Sequence, residues 1–321
     1  MEEVERARER LENIRSVKPI LNGLRTISLG SWQAALKRRG GVQTYAQQLK
    51  AMLPIVIPHL PGERGGFDHI RERFSFPHRV WDGRGADEEQ RSRPGRSEIL
   101  VVGSERGLCG RFNVAVADKL DRLLRESLQD TDQVALRVLG SRAGRVLRRR
   151  GYEPASAGTL AVTTLPPPSL AFDLSGEWLS SYEQHALDTV MIVFNDYRGT
   201  GTYEPTVTRL IPPQFSSDDI PSVSHATGEH SASWPPPIVD TDPRSLYATI
   251  IEQWTAVRLY SILLDSSAAE HSTRFQLMES ATQNADQLVQ DLTLVIQTAR
   301  RQEITQEMAE LAAGAGLLRK D

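Results

Sequence analysis

The most regular feature of the chain is an alternation of four- and three-residue steps between apolar or small residues near its C-terminus. From Ile250 the series runs through Trp254, Val257, Ser261, Leu264, Ala268, His271, Phe275, Met278, Thr282, Ala285, Val289, Leu292, Ile296 and Ala299. That is a heptad seam held for about seven repeats, and it predicts a coiled-coil helix. Asp242 suits the N-cap, and Pro243 suits the first turn, where its missing N–H costs nothing. After Pro243 the chain has no further proline, and its first glycine is Gly314. At roughly 1.5 Å per residue, a helix from Ser245 to Leu318 would be about 110 Å long. A compact domain of this size is not that wide, so the helix should protrude and be covered. Ser261, Thr282 and the seam alanines bury little area, so the drive to pair is modest. Past Ala299 the phase slips. Ile304, Met308, Leu311, Ala315 and Leu318 form a rotated stripe that should meet different neighbours.

Residues 1–60 carry a second stepped series: Leu11, Ile14, Val17, Leu21, Leu24, Ser28, Ser31, Ala35, Arg38, Val42, Tyr45, Leu49 and Met52. An antiparallel pairing of the two terminal helices would cover both stripes. Pro19 should kink the first helix, at about 3 kcal/mol. Gly23, Gly30 and the Gly40-Gly41 pair each weaken it by about 1 kcal/mol against alanine. Pro54 and Pro58 should end it.

Between the helices the texture changes. Residues 61–97 are rich in Gly, Arg, Asp and Glu and read as a linker, partly disordered. Residues 98–212 alternate strands and helices. Strands are expected at Ile99–Val102, Val134–Leu139, Thr189–Phe194 and Tyr203–Ile211, and helices at 111–127, 141–150 and 169–185. This predicts a Rossmann-like parallel α/β domain inserted between two long antiparallel helices, an α/β plus coiled-coil fold. Residues 213–242, with Pro235-Pro236-Pro237, read as a loop. Residues 243–321 are the C-terminal helix.

Composition narrows the chemistry. The net charge is −3, which does not indicate bulk affinity for nucleic acid or anionic membrane. Arg91, Arg93 and Arg96 could form a nucleic-acid arm, but Asp87, Glu88 and Glu89 oppose it. A single Cys109 excludes an intramolecular disulfide. No apolar core follows Met1-Glu2-Glu3, so no signal peptide is expected. No run approaches the roughly 18 apolar residues of a membrane span. The glycine turn Gly103-Ser104-Glu105-Arg106-Gly107-Leu108-Cys109-Gly110 sits where an α/β sheet binds nucleotides. It lacks the Lys-Ser/Thr of a phosphate loop, and Glu105 occupies the first glycine position of the dinucleotide fingerprint. The expectation is a tight turn with no cofactor. The seven histidines are scattered and no second cysteine can join a metal site. No nucleophile–base pair is visible, so no catalytic site is expected. Arg300, Arg301 and Glu303 lie where the seam slips, either as a solvated face or as a cluster for a partner's carboxylates.

Specific residues carry a resemblance along nearly the whole chain. They are Ile14-Arg15-Ser16-Val17, Gly103 through Asn113 with Arg106-Gly107-Leu108-Cys109-Gly110, and Pro205-Thr206 through Leu210-Ile211-Pro212. The densest are Glu270-His271, Arg274, Met278, Ala281-Thr282, Asn284-Ala285, Leu292-Thr293-Leu294, Ala299-Arg300 and Ile304-Thr305-Gln306-Glu307. The chain resembles the gamma subunit of F-type rotary ATP synthases. The resemblance implies a central-stalk rotor. The paired helices would be a shaft inside three alpha and three beta subunits. The α/β domain would be a foot seated with an epsilon subunit on the membrane ring of c subunits, at the cytoplasmic face of the plasma membrane. ATP chemistry would belong to the beta subunits, and coupling could be to protons or sodium. Arg300, Thr305 and Gln306 would meet the beta subunits, and Asp240 would lie near the c ring. Leu21, Leu24, Phe275, Met278, Val289, Leu292 and Ile296 would form the shaft seam. Pro19, Leu24, Val239 and Arg301 depart from the family pattern.

A shaft turning in a sleeve should also lack strong apolar anchors on its outer face. Two other readings remain open on the residues alone. One is an α/β nucleotide-binding enzyme with helical dimerisation arms. The other is a non-catalytic coiled-coil scaffold.

Overall fold

The computed structural model describes residues 2–60, 96–127, 133–160, 164–213 and 239–314. The expected linker (61–97) and loop (213–242) therefore fall almost wholly outside the described residues, as do residues 315–321. The chain divides into two units. One comprises Met1–Leu29 with Arg274–Asp321, the other Gly30–Thr273. Two long helices, α1 (Glu2–Val56) and α5 (Pro243–Gly314), contribute to both.

The larger unit is built on a five-stranded sheet. Its strands are β1 (Arg96–Val102), β2 (Gln133–Leu139), β3 (Ser156–Gly158), β4 (Thr189–Gly199) and β5 (Thr202–Ile211), in the order β3-β2-β1-β4-β5. β1, β2, β3 and β4 run parallel. β5 pairs antiparallel with β4, which corrects the all-parallel expectation. Only Thr200 and Gly201 separate β4 from β5, and a two-residue connection can only reverse the chain. Gly201 takes the positive φ, 66°, that such a turn requires. The three-residue β3 was not expected and is too short to show a period.

Side chains of period two divide between the sheet faces. Ile99, Val101, Met191 and Val193 face one way, under α2 (Phe112–Ser127) and α3 (Ser141–Arg149), whose Val116, Leu120 and Leu147 complete that core. Leu100, Val102, Ile192 and Phe194 face the other. There they meet Trp178 of α4 (Pro168–Glu183), Ala35 of α1, and Leu259, Ile262 and Leu263 of α5. Both faces are covered, which explains why β1 and β4 read as near-continuous apolar runs.

Asp242 accepts the amide of Ser245 at 2.9 Å, so α5 starts under a side-chain cap. α1 is continuous through the exposed Pro19 and through Pro54, ending at Val56 in a 3-10 turn, Ile57–His59. Pro19 therefore does not interrupt the helix.

The seam of α1 also needs correction. Val17, Tyr45 and Met52 are exposed, as is Arg38. Lys18, Arg39, Ala46 and Leu53 turn inward in their place. The series placed Val17 inward in place of Lys18 and Arg38 in place of Arg39, and at Tyr45 and Met52 it took the wrong member of an adjacent apolar pair. The helix instead gives several of them to charge: Lys18 pairs with Asp286, Arg25 with Glu279 at 2.7 Å, and Arg39 with Asp265 at 2.7 Å.

Candidate functional site

The crevice beyond the carboxyl ends of the parallel strands is where an α/β sheet would hold a ligand. Here the protein's own groups fill it. Asn113, in the first turn of α2, accepts the Ser104 amide at 2.9 Å and donates to the Ser104 hydroxyl at 2.8 Å. The Ser104 hydroxyl in turn donates to the Arg106 carbonyl at 2.6 Å. Gly103 admits no side chain, since a Cβ there would lie 2.3 Å from Ala143 Cβ and 2.7 Å from Asn113 Oδ1. At Gly140, whose φ is 103°, a Cβ would lie 2.8 Å from both the Gly103 and Ser104 carbonyl oxygens. The glycines let three backbone segments cross, not a phosphate approach.

Glu105 explains the altered fingerprint. Its carboxylate accepts the Ser141 amide at 3.0 Å and the Leu160 amide at 3.1 Å, and also the Ser141 hydroxyl. It thus sits at the N-terminus of α3, where a bound anion would otherwise lie. Burial opposes its ionisation. The Ser141 and Leu160 hydrogen bonds, with Arg145 nearby, outweigh that and hold the carboxyl below the usual range. Cys109 is buried beside Phe112 and Ala269, so the turn packs on α5.

Elsewhere, an apolar hollow of about 220 Å³ is lined by Gly41, Val42, Tyr45, Phe172, Val257 and Tyr260. It offers little to orient a polar substrate. Among the described residues, no three His, Cys, Asp or Glu side chains converge as metal ligands would.

Among the described residues of the larger unit, Asp265 is the most perturbed carboxylate. It is buried on α5, with Arg39 Nε of α1 2.7 Å from its Oδ1. Burial pushes its carboxyl up to about 6. Asp196 adds to the rise, against the pull of Arg39, Arg258 and Arg198. Sequence reasoning missed this pair. The available signal was charge at heptad spacing on both helices: Lys18, Arg25 and Arg39 against Asp286, Glu279 and Asp265.

The residues singled out from the sequence are dispersed. In the smaller unit, Met278 is buried, and Leu21, Leu24, Phe275, Val289, Leu292 and Ile296 are half-buried. Arg300, Thr305 and Gln306 are exposed on the last turns of α5. Thr305 donates back to the Arg301 carbonyl at 2.8 Å, and Gln306 to Glu310 at 3.1 Å, so both bond within the helix. Asp240, in the larger unit, is exposed just ahead of the α5 cap.

The family model of ATP synthase matches residues 3–318. The ATP synthase gamma chain of Staphylococcus aureus (strain JH9) is 30% identical over 223 residues, 70% of this chain and 74% of that one. The chain belongs to the ATP synthase gamma-chain family. Two solved structures share its fold. A chain of the Euglena gracilis mitochondrial ATP synthase in rotational state 3 aligns at TM-score 0.57 and 15% identity, covering 99% of this chain and 97% of that one. A chain of the rotor of the same synthase in rotational state 1 aligns at 0.53 and 14%, covering 94% and 98%. For a gamma-type chain, the filled crevice and the bare outer surface of the helices are consistent features.

Proposed function

We propose that this chain is the central-stalk rotor subunit of an F-type ATP synthase, coupling rotation of a membrane ring to ATP synthesis or hydrolysis on beta subunits. One observation carries the reading beyond family membership. Among the described residues, most of the large exposed apolar side chains lie in the smaller unit, including Ile20, Leu294, Ile304, Met308 and Leu311, the last three 51–71% exposed. A helical pair with that much apolar surface needs a surrounding partner. This overturns the expectation of an outer face without strong apolar residues. Apolar contact is non-directional, so it can seal a sleeve without fixing one angular position. Hydrogen bonds and ion pairs would fix one.

In this reading the alpha and beta subunits surround the helical pair, and Arg300, Thr305 and Gln306 meet the beta subunits. The larger unit, with Asp240 at its edge, seats on the c ring beside an epsilon subunit. The seam residues Leu21, Leu24, Phe275, Met278, Val289, Leu292 and Ile296 hold the shaft together. No described helix is long and apolar enough to cross a membrane, so the chain would reach the cytoplasmic membrane face through these partners. In this reading ATP chemistry belongs to the beta subunits, and the crevice filled by Ser104, Glu105 and Asn113 supports it.

The test is reconstitution. The tagged full chain should co-purify with alpha- and beta-like subunits from its own source and make their ATPase depend on its presence. Absence of any such complex would sink the proposal.

A further inference from the structure

Leu49, Leu53 and Val56 of α1 pack on Ile250, Ile251, Trp254 and Val257 of α5, but further along, small residues at Ser28, Ser31, Ala35, Ala268, Ser272 and Ala285 specify alignment poorly. A short hairpin would fix their register, but the whole sheet lies between Val56 and Pro243 in the chain. Apolar docking on the sheet tolerates some sliding, so a further feature is needed to discriminate among heptad-related alignments, each a slide of about 10 Å.

The cross-helix ion pairs supply a rule. From Lys18 to Arg25 on α1 and from Asp286 to Glu279 on α5 the step is one heptad. From Arg25 to Arg39 and from Glu279 to Asp265 it is two. One register therefore serves all three pairs. The first two are part-exposed and only weakly selective, because a one-heptad slide still leaves one opposite-charge match, Lys18 with Glu279 or Arg25 with Asp286. The Asp265 side chain is only 9% exposed and cannot compromise. Sliding one way sets Arg39 opposite Arg258 and Asp265 opposite Trp32. Sliding the other way sets Arg39 opposite Ser272 and Asp265 opposite Ala46. Either slide strands a buried carboxylate, and the first also juxtaposes two cations.

We infer that Arg39 and Asp265 are a register lock, setting the alignment of the two helices and not their adhesion. This goes beyond the rotor reading and stands without it. Its consequence for a shaft is that torque would be borne at a single alignment.

Disulfide trapping in the full chain tests it. Ala46 packs in one cluster with Val257, so cysteines at those two positions report the native register. Cysteines at Ala46 with Ile250, or Ala46 with Leu264, report the two slides. Cys109 is buried and stays in place. Wild-type background should give the native cross-link with only traces of the others. Arg39→Leu with Asp265→Leu should remain helical at an equal or higher Tm, yet raise the slipped products by about tenfold, since no charge is then stranded. A swapped pair, Arg39→Asp with Asp265→Arg, should return the native product alone. Native cross-links only in the leucine variant would overturn the inference. So would loss of helix in both that variant and Arg39→Met with Asp265→Asn, because the pair would then serve stability and not choice of register.

Discussion

α5 is one helix in two settings. From Trp254 to Arg274 nearly every side chain is buried, polar ones included: Thr255, Ser261, Asp265, Ser266, His271 and Ser272. Beyond Met278 burial falls to one residue in three or four, Thr282 and Ala285, and ends with half-buried Val289, Leu292, Ile296 and Ala299. The heptad period is the same throughout. The period therefore reports the side that meets α1, while the number of other neighbours sets how much more is covered. In the larger unit the sheet and α4 supply them; in the smaller unit no other described element does, and among the described residues apolar side chains stay bare.

The contrast predicts opposite consequences for equal truncations. Trp178 is 1% exposed beneath the sheet, with the Arg137 guanidinium 5.8 Å from its ring centre. Trp178→Ala should cost about 3–5 kcal/mol in urea unfolding of the full chain. Met308→Ala, at a residue 65% exposed, should change that stability by less than about 0.5 kcal/mol. Instead it should weaken assembly with alpha and beta subunits, read as the chain concentration needed for half-maximal ATPase. If Met308→Ala destabilises the isolated chain as much as Trp178→Ala does, the two regions do not differ as described.

Next in size is Asp265. Its folded value is raised from 3.8 to about 6. A raised value means the stabilising, protonated form is fully present below the unfolded value. That contribution is lost as pH rises through about 6. At pH 8 the charged carboxylate then costs roughly 3 kcal/mol, an order-of-magnitude figure. Asp265→Asn should raise stability at pH 8 by up to that amount and change little at pH 4. Urea titrations of both proteins across this range measure it. A variant less stable than wild type at pH 8 would mean the Arg39 pair is a net stabiliser, and the sharpest electrostatic difference between the units would vanish.

Much of this architecture is written locally. Asp242-Pro243 starts a helix, Ile99 to Val102 makes a strand, and Gly103 to Gly110 makes a turn, each from a few neighbouring residues. Three features were not legible, for different reasons. The direction of β5 rested on Thr200-Gly201, a hairpin signal hidden beside the strong parallel pattern. The inward side of α1 was misjudged at Val17, where Lys18 meets Asp286 of the partner helix, and at Tyr45 and Met52, where adjacent apolar residues, Ala46 and Leu53, left the phase ambiguous. Glu105 looked like a damaged fingerprint, but its role depends on Ser141 and Leu160, far along the chain. The candidate contact residues Arg300, Thr305, Gln306 and Asp240 came from resemblance alone. They are exposed, and the partners proposed for them are other chains.

Glu105 gives a smaller effect, confined to the sheet. Glu105→Ala removes the acceptor for the Ser141 and Leu160 amides and should cost about 1–2 kcal/mol, the scale of a lost helix cap. Its folded value is lowered. The contribution should therefore be intact above the ordinary carboxylate range and fade as pH falls through the lower folded value. This pH dependence is opposite in sign to that of Asp265. Equal losses for Glu105→Ala at pH 7 and pH 2 would show that the anion at the head of α3 contributes nothing.

The smallest effect belongs to the smaller unit. Lys18 and Asp286 pair across its two helices with side chains 38% and 46% exposed. Each can hydrate when its partner is removed, so no charge is left stranded, unlike at Asp265. Coupling between Lys18→Ala and Asp286→Ala in a double-mutant cycle should be about 0.2–1 kcal/mol and fall as salt is raised. A larger, salt-insensitive coupling would mean that this pair is desolvated too, and then register in the smaller unit would be set there as firmly as at Arg39.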